Sequence, residues 1–309
     1  MTLLTQYLIY KDVISKPMKD KTTILRYASI SLMLLGAYGT EAQQLMLSNS
    51  PTAVSNTGST TVKNTVESST EKQEGFENNH FKSYGQKFVE TDHEIVFVGR
   101  SAPEGLDIYT VPLFGGYQKT DEQLEQDQTF LEDCIKNFED REAAAKFFNT
   151  MGWQYLGEGS KDLATYRFNM AYLLDDKNEE AYWGLGVISY QSGSYEEAIK
   201  LITQGVRLSQ MKNVPMMVDL AAVHLSCYQH NNHHTDLENA DELLHLSFEL
   251  NPYYPAIYYE LALTQLYNNH LDTAWSIFHE GYDLKPGAID MDVLAALLAQ
   301  GPDPKGIFK

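Results

Sequence analysis

The segment that decides the fold is GWQYLGEGSKDLATYRFNMAYLLDD, residues 152–176, in which small residues recur at fixed places among aromatic ones. A second segment, GVISYQSGSYEEAIKLITQGVRLSQ, residues 186–210, has small residues at the same places. Every matched position lies 34 residues further along the chain. The matched pairs are Gly152 with Gly186, Gly159 with Gly193, Ala164 with Ala198, and Ala171 with Gly205. A fixed period of this size indicates a repeat architecture.

Two further copies of the pattern follow. The third copy is degenerate, because residues 228–239, YQHNNHHTDLEN, add seven residues between its two halves, and we expect this insertion to form a loop. The third copy matches at Ala221, Ala240, Ser247 and Pro252. The fourth copy is regular again and matches at Tyr258, Leu261, Ala262, Ala274, Phe278, Gly281 and Pro286.

The pattern resembles the tetratricopeptide repeat (TPR) family over residues 143–287, with about four repeats. The resemblance implies an all-α solenoid of helical hairpins wound as a right-handed superhelix. Small residues at the crossing points let the two helices of a pair approach closely. Residues 119–142 are expected to form an N-terminal capping helix that begins at Thr120 or Asp121, and residues 288–309 a C-terminal capping helix and a tail that folds back.

The N-terminal third of the chain has a different composition. Residues 1–42 are typical of a signal peptide, because basic residues precede the apolar run 27–39 and small residues precede Gln43. Translation is expected to start at Met18. The protein is therefore expected to be exported to the periplasm or envelope of a bacterium, and the alternative is an uncleaved N-terminal anchor.

Two segments are expected between the signal peptide and the helices. Residues 43–82 are rich in Ser, Thr, Asn, Glu and Gln and predict a disordered linker. Residues 83–118 predict an extended arm. Its apolar part, YTVPLFGGY at 109–117, is expected either to occupy the groove of the repeats or to run along their convex side as a strap.

The charge balance narrows the possible partners. The chain has 42 acidic and 23 basic residues and a formal net charge of −19. This excess of negative charge argues against nucleic acid and against an anionic membrane surface as partners. Membrane attachment is expected only through an uncleaved N-terminal segment. The two cysteines, Cys134 and Cys227, predict free buried thiols, with a disulfide as the alternative.

No known catalytic or cofactor motif is present in the sequence. It lacks a phosphate-binding loop, a paired Cys-x-x-Cys and a Gly-x-Ser-x-Gly elbow. We therefore expect no cofactor and no enzymatic activity. Two alternatives remain, an enzyme whose site the arm forms against the repeats, and a metal site at the histidine-rich insertion. The weak metal candidates are His230, His233 and His234.

The resemblance also implies a binding surface. In this family the first helix of each repeat lines the concave side, where extended peptides bind. The candidate groove residues at matching positions are Asn149, Trp153, Trp183, Tyr190, Gln191, Tyr259 and Tyr267. The resulting groove is expected to be aromatic and nearly uncharged, which suits a protein or peptide partner of a non-catalytic scaffold. The alternative role of Trp153 and Trp183 is to wedge adjacent repeats together.

Overall fold

The computed structural model of the protein describes residues 99–309. The expected signal peptide, the expected linker and residues 83–98 of the expected arm lie outside this range. The described part contains ten α-helices: α1 (Asp121–Asn137), α2 (Arg141–Gly157), α3 (Lys161–Leu174), α4 (Glu179–Gln191), α5 (Tyr195–Leu208), α6 (Val214–Asn231), α7 (His234–Leu250), α8 (Pro255–Tyr267), α9 (Leu271–Leu284) and α10 (Met291–Gln300).

Helices α2 to α9 form four consecutive pairs, α2 with α3, α4 with α5, α6 with α7 and α8 with α9. Short connections make the two helices of each pair antiparallel. The first helices of successive pairs also contact one another, α2 with α4, α4 with α6 and α6 with α8. The prediction of an all-α solenoid of helical hairpins is confirmed.

The small residues of the pattern lie where helices approach most closely. A Cβ atom added to Gly152 would come 2.8 Å from the Phe168 ring, and one added to Gly184 would overlap the same ring. An added Cβ at Gly205 would lie 2.9 Å from the carbonyl oxygen of Glu179 in the same repeat. Phe168 is fully buried and fills the space that the first two glycines leave. The recurring glycines are therefore packing residues, as the repeat pattern predicts.

The insertion in the third repeat is not a loop, in contrast to the expectation. Its extra residues lengthen both helices, so that α6 has 18 residues and α7 has 17, compared with 13 in α4 and 14 in α5. The turn between them is short and contains Asn232 in the left-handed conformation, with φ 54°. Asparagine tolerates this conformation, and it closes the turn without a long connection. The third hairpin is consequently longer than its neighbours.

Both ends of the solenoid carry additional elements. Helix α1 begins at a capping box in which Thr120 and Gln123 exchange hydrogen bonds. It packs against α2 and α3 but leaves Leu124 and Ile135 53% and 60% exposed. At the other end, α10 packs against α8 and α9, and the tail folds back so that the Phe308 ring contacts Phe278 edge to face at 5.5 Å.

Asp303 holds the folded tail in place. Its carboxylate accepts backbone hydrogen bonds from Lys305, Ile307 and Phe308 at 2.8, 2.7 and 2.9 Å. The buried ring of His279 on α9 lies 2.9 Å from the same carboxylate. Burial alone would raise the pKa of Asp303, but these backbone N–H groups and His279 lower it. The hook formed by residues 301–309 thus closes the last repeat.

The described part of the arm, residues 99–118, turns repeatedly instead of running fully extended. Its elements are β1 (Arg100–Ser101), a 3-10 turn at Ile108–Thr110, a second at Pro112–Gly116, and β2 (Tyr117–Gln118), which pairs parallel to β1. Leu113 and Phe114 adopt left-handed conformations, with φ 48° and 57°. Such conformations cost about 1–2 kcal/mol per residue, and the burial of both side chains offsets this cost.

Two further predictions can be compared with the described chain. Cys134 and Cys227 are free and buried, and burial raises the pKa of their thiols to about 12 and about 11. Within residues 99–309, no helix combines the length and the apolar character that crossing a membrane requires.

Candidate functional site

The candidate groove is built from one face of each first helix. Trp183 and Tyr190 are seven residues apart on α4, and Glu260 and Tyr267 are seven apart on α8, so each pair lies on the same side of its helix. We call the surface formed by these sides of α2, α4, α6 and α8 the concave face. The four side chains are all half-buried.

The two tryptophans lie next to each other on this face. Their rings contact edge to face at 4.9 Å, and the Trp153 ring also contacts Phe168 at 5.1 Å. Trp153 of α2 and Trp183 of α4 therefore join the first two repeats and at the same time leave part of each ring exposed. In this arrangement the two tryptophans can both pack adjacent repeats together and line the groove.

Side-chain hydrogen bonds connect α2 to α4 and α4 to α6. The indole N–H of Trp153 donates to Glu180 Oε1 at 2.9 Å, and that of Trp183 donates to Asp219 Oδ2 at 2.7 Å. The hydroxyls of Tyr190 and Ser226 are 3.0 Å apart. These bonds fix the orientation of the aromatic rings before any ligand arrives.

The concave face is acidic, and the expectation of a nearly uncharged groove is wrong. Glu180 of α4, Asp219 of α6 and Glu260 of α8 contribute one carboxylate from each of three successive first helices. Burial raises the pKa of Glu180, while hydrogen bonds from Trp153 and Asn149 counteract it. None of these three acids is among the groove residues predicted from the sequence.

Two of these carboxyl groups titrate far above their ordinary range. Burial raises the pKa of Asp219 to about 6, although the hydrogen bond from Trp183 opposes the shift. Burial raises the pKa of Glu260 to about 8, and the nearby carboxylates of Asp290 and Asp219 add to the shift. Each charge is costly in this position because the surrounding helices hold water away from it, and at Glu260 repulsion by the neighbouring acids adds to the cost.

The other predicted groove residues differ in their accessibility. Tyr267 is half-buried on the concave face, with its ring 5.3 Å from that of Tyr228. Gln191 is exposed at the end of α4, and its carbonyl accepts a hydrogen bond from Lys161 at 2.7 Å. Tyr259 is only 2% exposed, because it turns towards Phe278 and packs in the last core. Tyr259 does not line the groove.

Asn149 lies beneath the concave face, with 1% of its surface exposed. Its amide nitrogen donates to Asn178 Oδ1 at 2.9 Å and to Glu180 Oε2 at 3.2 Å. Its amide oxygen has no hydrogen-bond partner among the described residues. A buried acceptor without a partner is uncommon, and this one lies directly beside an acidic group of the groove.

The candidate histidines are spread along one hairpin end. The His230 ring lies 5.3 Å from that of Tyr195, and the His234 ring lies 5.8 Å from that of Tyr228. The backbone N–H of His233 donates to Asn231 Oδ1 at 2.8 Å. In the described chain, no group of three or more His, Cys, Asp or Glu side chains is placed to hold a metal ion.

The arm lies on the convex side. Asn169 of α3 donates to the carbonyl oxygens of Tyr109 and Val111 at 2.9 and 2.8 Å and accepts from the Leu113 backbone N–H at 2.9 Å. The Tyr109 hydroxyl reaches α1, where it donates to Asp127 at 2.7 Å. Of the two positions expected for residues 109–117, the structure has the strap and not the groove occupant.

The helix pairs and the 34-residue period together place the chain among repeat proteins. It is a TPR-like helical-repeat protein. No protein-family model and no curated protein matches the sequence. Among solved structures it is similar to a thermophilic TPR protein of Thermus thermophilus, with 18% identity over 51% of this chain and 83% of that chain and a TM-score of 0.45. It is also similar to YrrB, described as a TPR protein with an unusual peptide-binding site, with 21% identity over 55% and 97% and a TM-score of 0.28.

Proposed function

We propose that this protein is a non-catalytic scaffold of the bacterial cell envelope that binds a segment of a partner protein on its concave face. The observation that carries the proposal is the row of half-buried aromatic side chains on that face: Trp153, Trp183, Tyr190 and Tyr267.

Aromatic side chains suit recognition because they bury a large area at a small cost in conformational entropy. Here hydrogen bonds to the next helix already restrict two indole rings and one phenol ring. A ligand would therefore meet a surface whose side chains need little further ordering. The arm supports the same assignment, because it covers the convex side of α3 and leaves the concave face to an external partner.

The envelope location is proposed from the first 42 residues. Expression of the full chain in a bacterium, followed by cell fractionation and N-terminal sequencing of the mature form, tests this location. A mature chain that starts at Gln43 supports export, and an intact N-terminus recovered from the cytoplasmic fraction contradicts it.

Capture of the partner from an envelope extract tests the binding face. The bait is the full chain, compared with a Trp183→Ala/Tyr190→Ala/Tyr267→Ala variant. The matched control is Phe248→Ala/Tyr253→Ala, which removes exposed aromatic rings outside the concave face. A photo-crosslinking amino acid at Gln191, which is exposed beside the groove, then identifies what lies there.

The expected result is a protein that the control captures, that the groove variant loses, and that crosslinks at position 191. A partner captured equally by all three baits would contradict the concave face as the binding site. Circular dichroism melts of each bait establish that a lost partner does not reflect unfolding.

A further inference from the structure

The concave face carries a row of carboxylates that continues across the repeats. Glu180, Asp219 and Glu260 lie on α4, α6 and α8, and Asp290 caps the start of α10. Asp219 and Asp290 are both close enough to Glu260 to affect its ionisation. The row therefore follows the axis along which the repeats stack, with one acid for each of these first helices.

These acids lack basic partners. None of the four forms an ion pair with another residue of the range 99–309. Lys146 acts on Glu180 from a distance, but no lysine or arginine of that range counteracts the pKa shifts of Asp219 and Glu260. The side chain of Glu260 makes no hydrogen bond within the described chain. Carboxylates in such surroundings are stabilised most by an added positive charge.

Two further observations favour a positively charged hydrogen-bond donor as the ligand group. Trp183 lies beside Asp219 and Tyr267 lies near Glu260, and the faces of aromatic rings attract ammonium and guanidinium groups. The amide oxygen of Asn149, buried against Glu180, needs a donor. A peptide carboxylate would be repelled by the same row of acids.

The distance between the acids limits the spacing of the cations. Packed helices lie about 8–10 Å apart, and the first helices of neighbouring repeats are in contact. An extended peptide advances about 3.3 Å per residue. Asp219 and Glu260 occupy equivalent positions of neighbouring first helices, so cations opposite these two acids are separated by about three residues of the ligand.

We propose that the concave face selects an extended peptide segment with lysine or arginine at about every third residue. The inference rests on the proposed function, because it names the ligand class for the same groove. The cationic groups pair with Glu180, Asp219 and Glu260, and the intervening side chains contact the tryptophan and tyrosine rings.

Three capped, fluorescein-labelled nonapeptides test the inference on the full chain by fluorescence anisotropy. The first repeats Lys-Ala-Phe three times, the second repeats Glu-Ala-Phe three times, and the third has the composition of the first with its lysines in one block. We expect the first to bind at least about tenfold more tightly than the second, and several-fold more tightly than the third. The advantage should decrease as salt is added.

Substitutions that keep the shape of the acids locate the effect. Asp219→Asn/Glu260→Gln should weaken binding of the first peptide at least about tenfold, or about 1.4 kcal/mol. The matched control Glu238→Gln/Glu249→Gln replaces the same number of carboxyl groups at exposed sites on α7 and should change the affinity less than about twofold. Melting curves at the assay pH confirm that both variants are folded.

The outcomes separate this inference from the proposed function. Equal affinity for the lysine and glutamate peptides, or no measurable binding of the first peptide, overturns the cation inference. Binding that survives Asp219→Asn/Glu260→Gln but is lost in Trp183→Ala/Tyr190→Ala/Tyr267→Ala also overturns it, while the groove itself stands. Binding that both sets of substitutions leave unchanged overturns the inference and the groove together.

Discussion

Two buried asparagines in the first repeat show how its two faces differ. Asn169 of α3 and Asn149 of α2 are 0% and 1% exposed. Asn169, on the convex side, has hydrogen-bond partners for its oxygen and its nitrogen, and all of them belong to the arm. Asn149, under the concave face, donates twice, but its oxygen has no partner in the described chain.

The same contrast extends to the charged groups of the two faces. On the convex side Asp127 of α1 is bound by both Tyr109 and Lys119 of the arm and its junction with α1. On the concave face Asp219 accepts one hydrogen bond and the side chain of Glu260 accepts none among the described residues. The arm thus satisfies the buried polar groups that it covers on α1 and α3, whereas the Asn149 oxygen and the Glu260 side chain on the concave face have no hydrogen-bond partner in the described chain.

The largest expected effect tests the closed, convex side. Asn169→Leu keeps the branched shape of the side chain but leaves the Leu113 N–H and the carbonyls of Tyr109 and Val111 without partners. We expect the free energy of unfolding to fall by about 3 kcal/mol or more in urea titrations. The arm should also become cleavable by chymotrypsin.

Asn268→Leu, at an exposed turn, is the control and should cost little. If the two variants were equally stable and equally resistant to cleavage, Asn169 would not anchor the arm.

The next effect concerns the core between the two faces. Gly184→Ala places a Cβ atom into the Phe168 ring, so the repeats must move apart. We expect a loss of about 2 kcal/mol in thermal or urea unfolding. Gly157→Ala, whose Cβ meets nothing within 4 Å, should be neutral or stabilising by up to about 1 kcal/mol. Equal effects at the two glycines would show that close approach does not explain the repeat pattern.

The third prediction concerns the pH dependence of stability that Glu260 causes on the concave face. The pKa of Glu260 is raised to about 8, so the folded chain keeps a proton that the unfolded chain releases near pH 4.5. Stability from this group is therefore present below pH 4.5 and is lost as pH rises towards 8. Glu260→Gln removes this dependence, so its stability relative to the parent should increase between pH 5 and 8.5 by about 2 kcal/mol, roughly half of what the full pKa shift would give, because the side chain is only half-buried.

Thermal melts across this pH range measure the difference. Glu249→Gln, at an exposed position on α7, should differ from the parent by the same small amount at every pH. A constant difference for Glu260→Gln as well would mean that the Glu260 carboxyl is not perturbed by its surroundings.

The smallest effect concerns a single hydrogen bond on the concave face. Trp183→Phe retains an aromatic ring but removes the N–H donated to Asp219, at a cost of about 1 kcal/mol. The cost should be larger above pH 6 than below it, because the ionised carboxylate is the stronger acceptor and the pKa of Asp219 is about 6.

Trp275→Phe serves as the comparison in unfolding experiments at pH 5 and pH 8. Trp275 is buried, and its indole N–H has no partner in the described part of the protein. Its substitution should therefore destabilise to the same extent at both pH values. A pH-independent cost at Trp183 would contradict the importance of its hydrogen bond to Asp219.

The helical-hairpin fold could be predicted because its determinants recur in sequence. Gly152 and Gly186 contact a large side chain at the same place in successive pairs, and close packing allows few substitutes. The length of the third hairpin could not be predicted in the same way. The polar residues 228–239 suit a loop as well as exposed helix ends, and Asn232 alone marks the turn.

The aromatic part of the groove could be predicted, and its acidic part could not. Asp219 and Glu260 each lie two residues before the small residue of the repeat pattern in their helix. In α4 the same position is occupied by Gly184, and the acid of this helix is Glu180, four residues earlier. The acids therefore have no common period and align only when the helices are stacked. Tyr259 is predicted to line the groove, but its ring packs against Phe278 in the neighbouring core. The sequence alone does not distinguish these two orientations of a tyrosine.

The hook formed by residues 301–309 covers the end of the last described hairpin. A solenoid with a bare last hairpin offers a surface on which another hairpin, or another molecule, can stack. Here Phe308 and the backbone groups bound by Asp303 already occupy that surface. A purification tag fused after Lys309 would therefore disturb the hook that covers this surface. End-to-end stacking of the protein into filaments would require the hook to detach first.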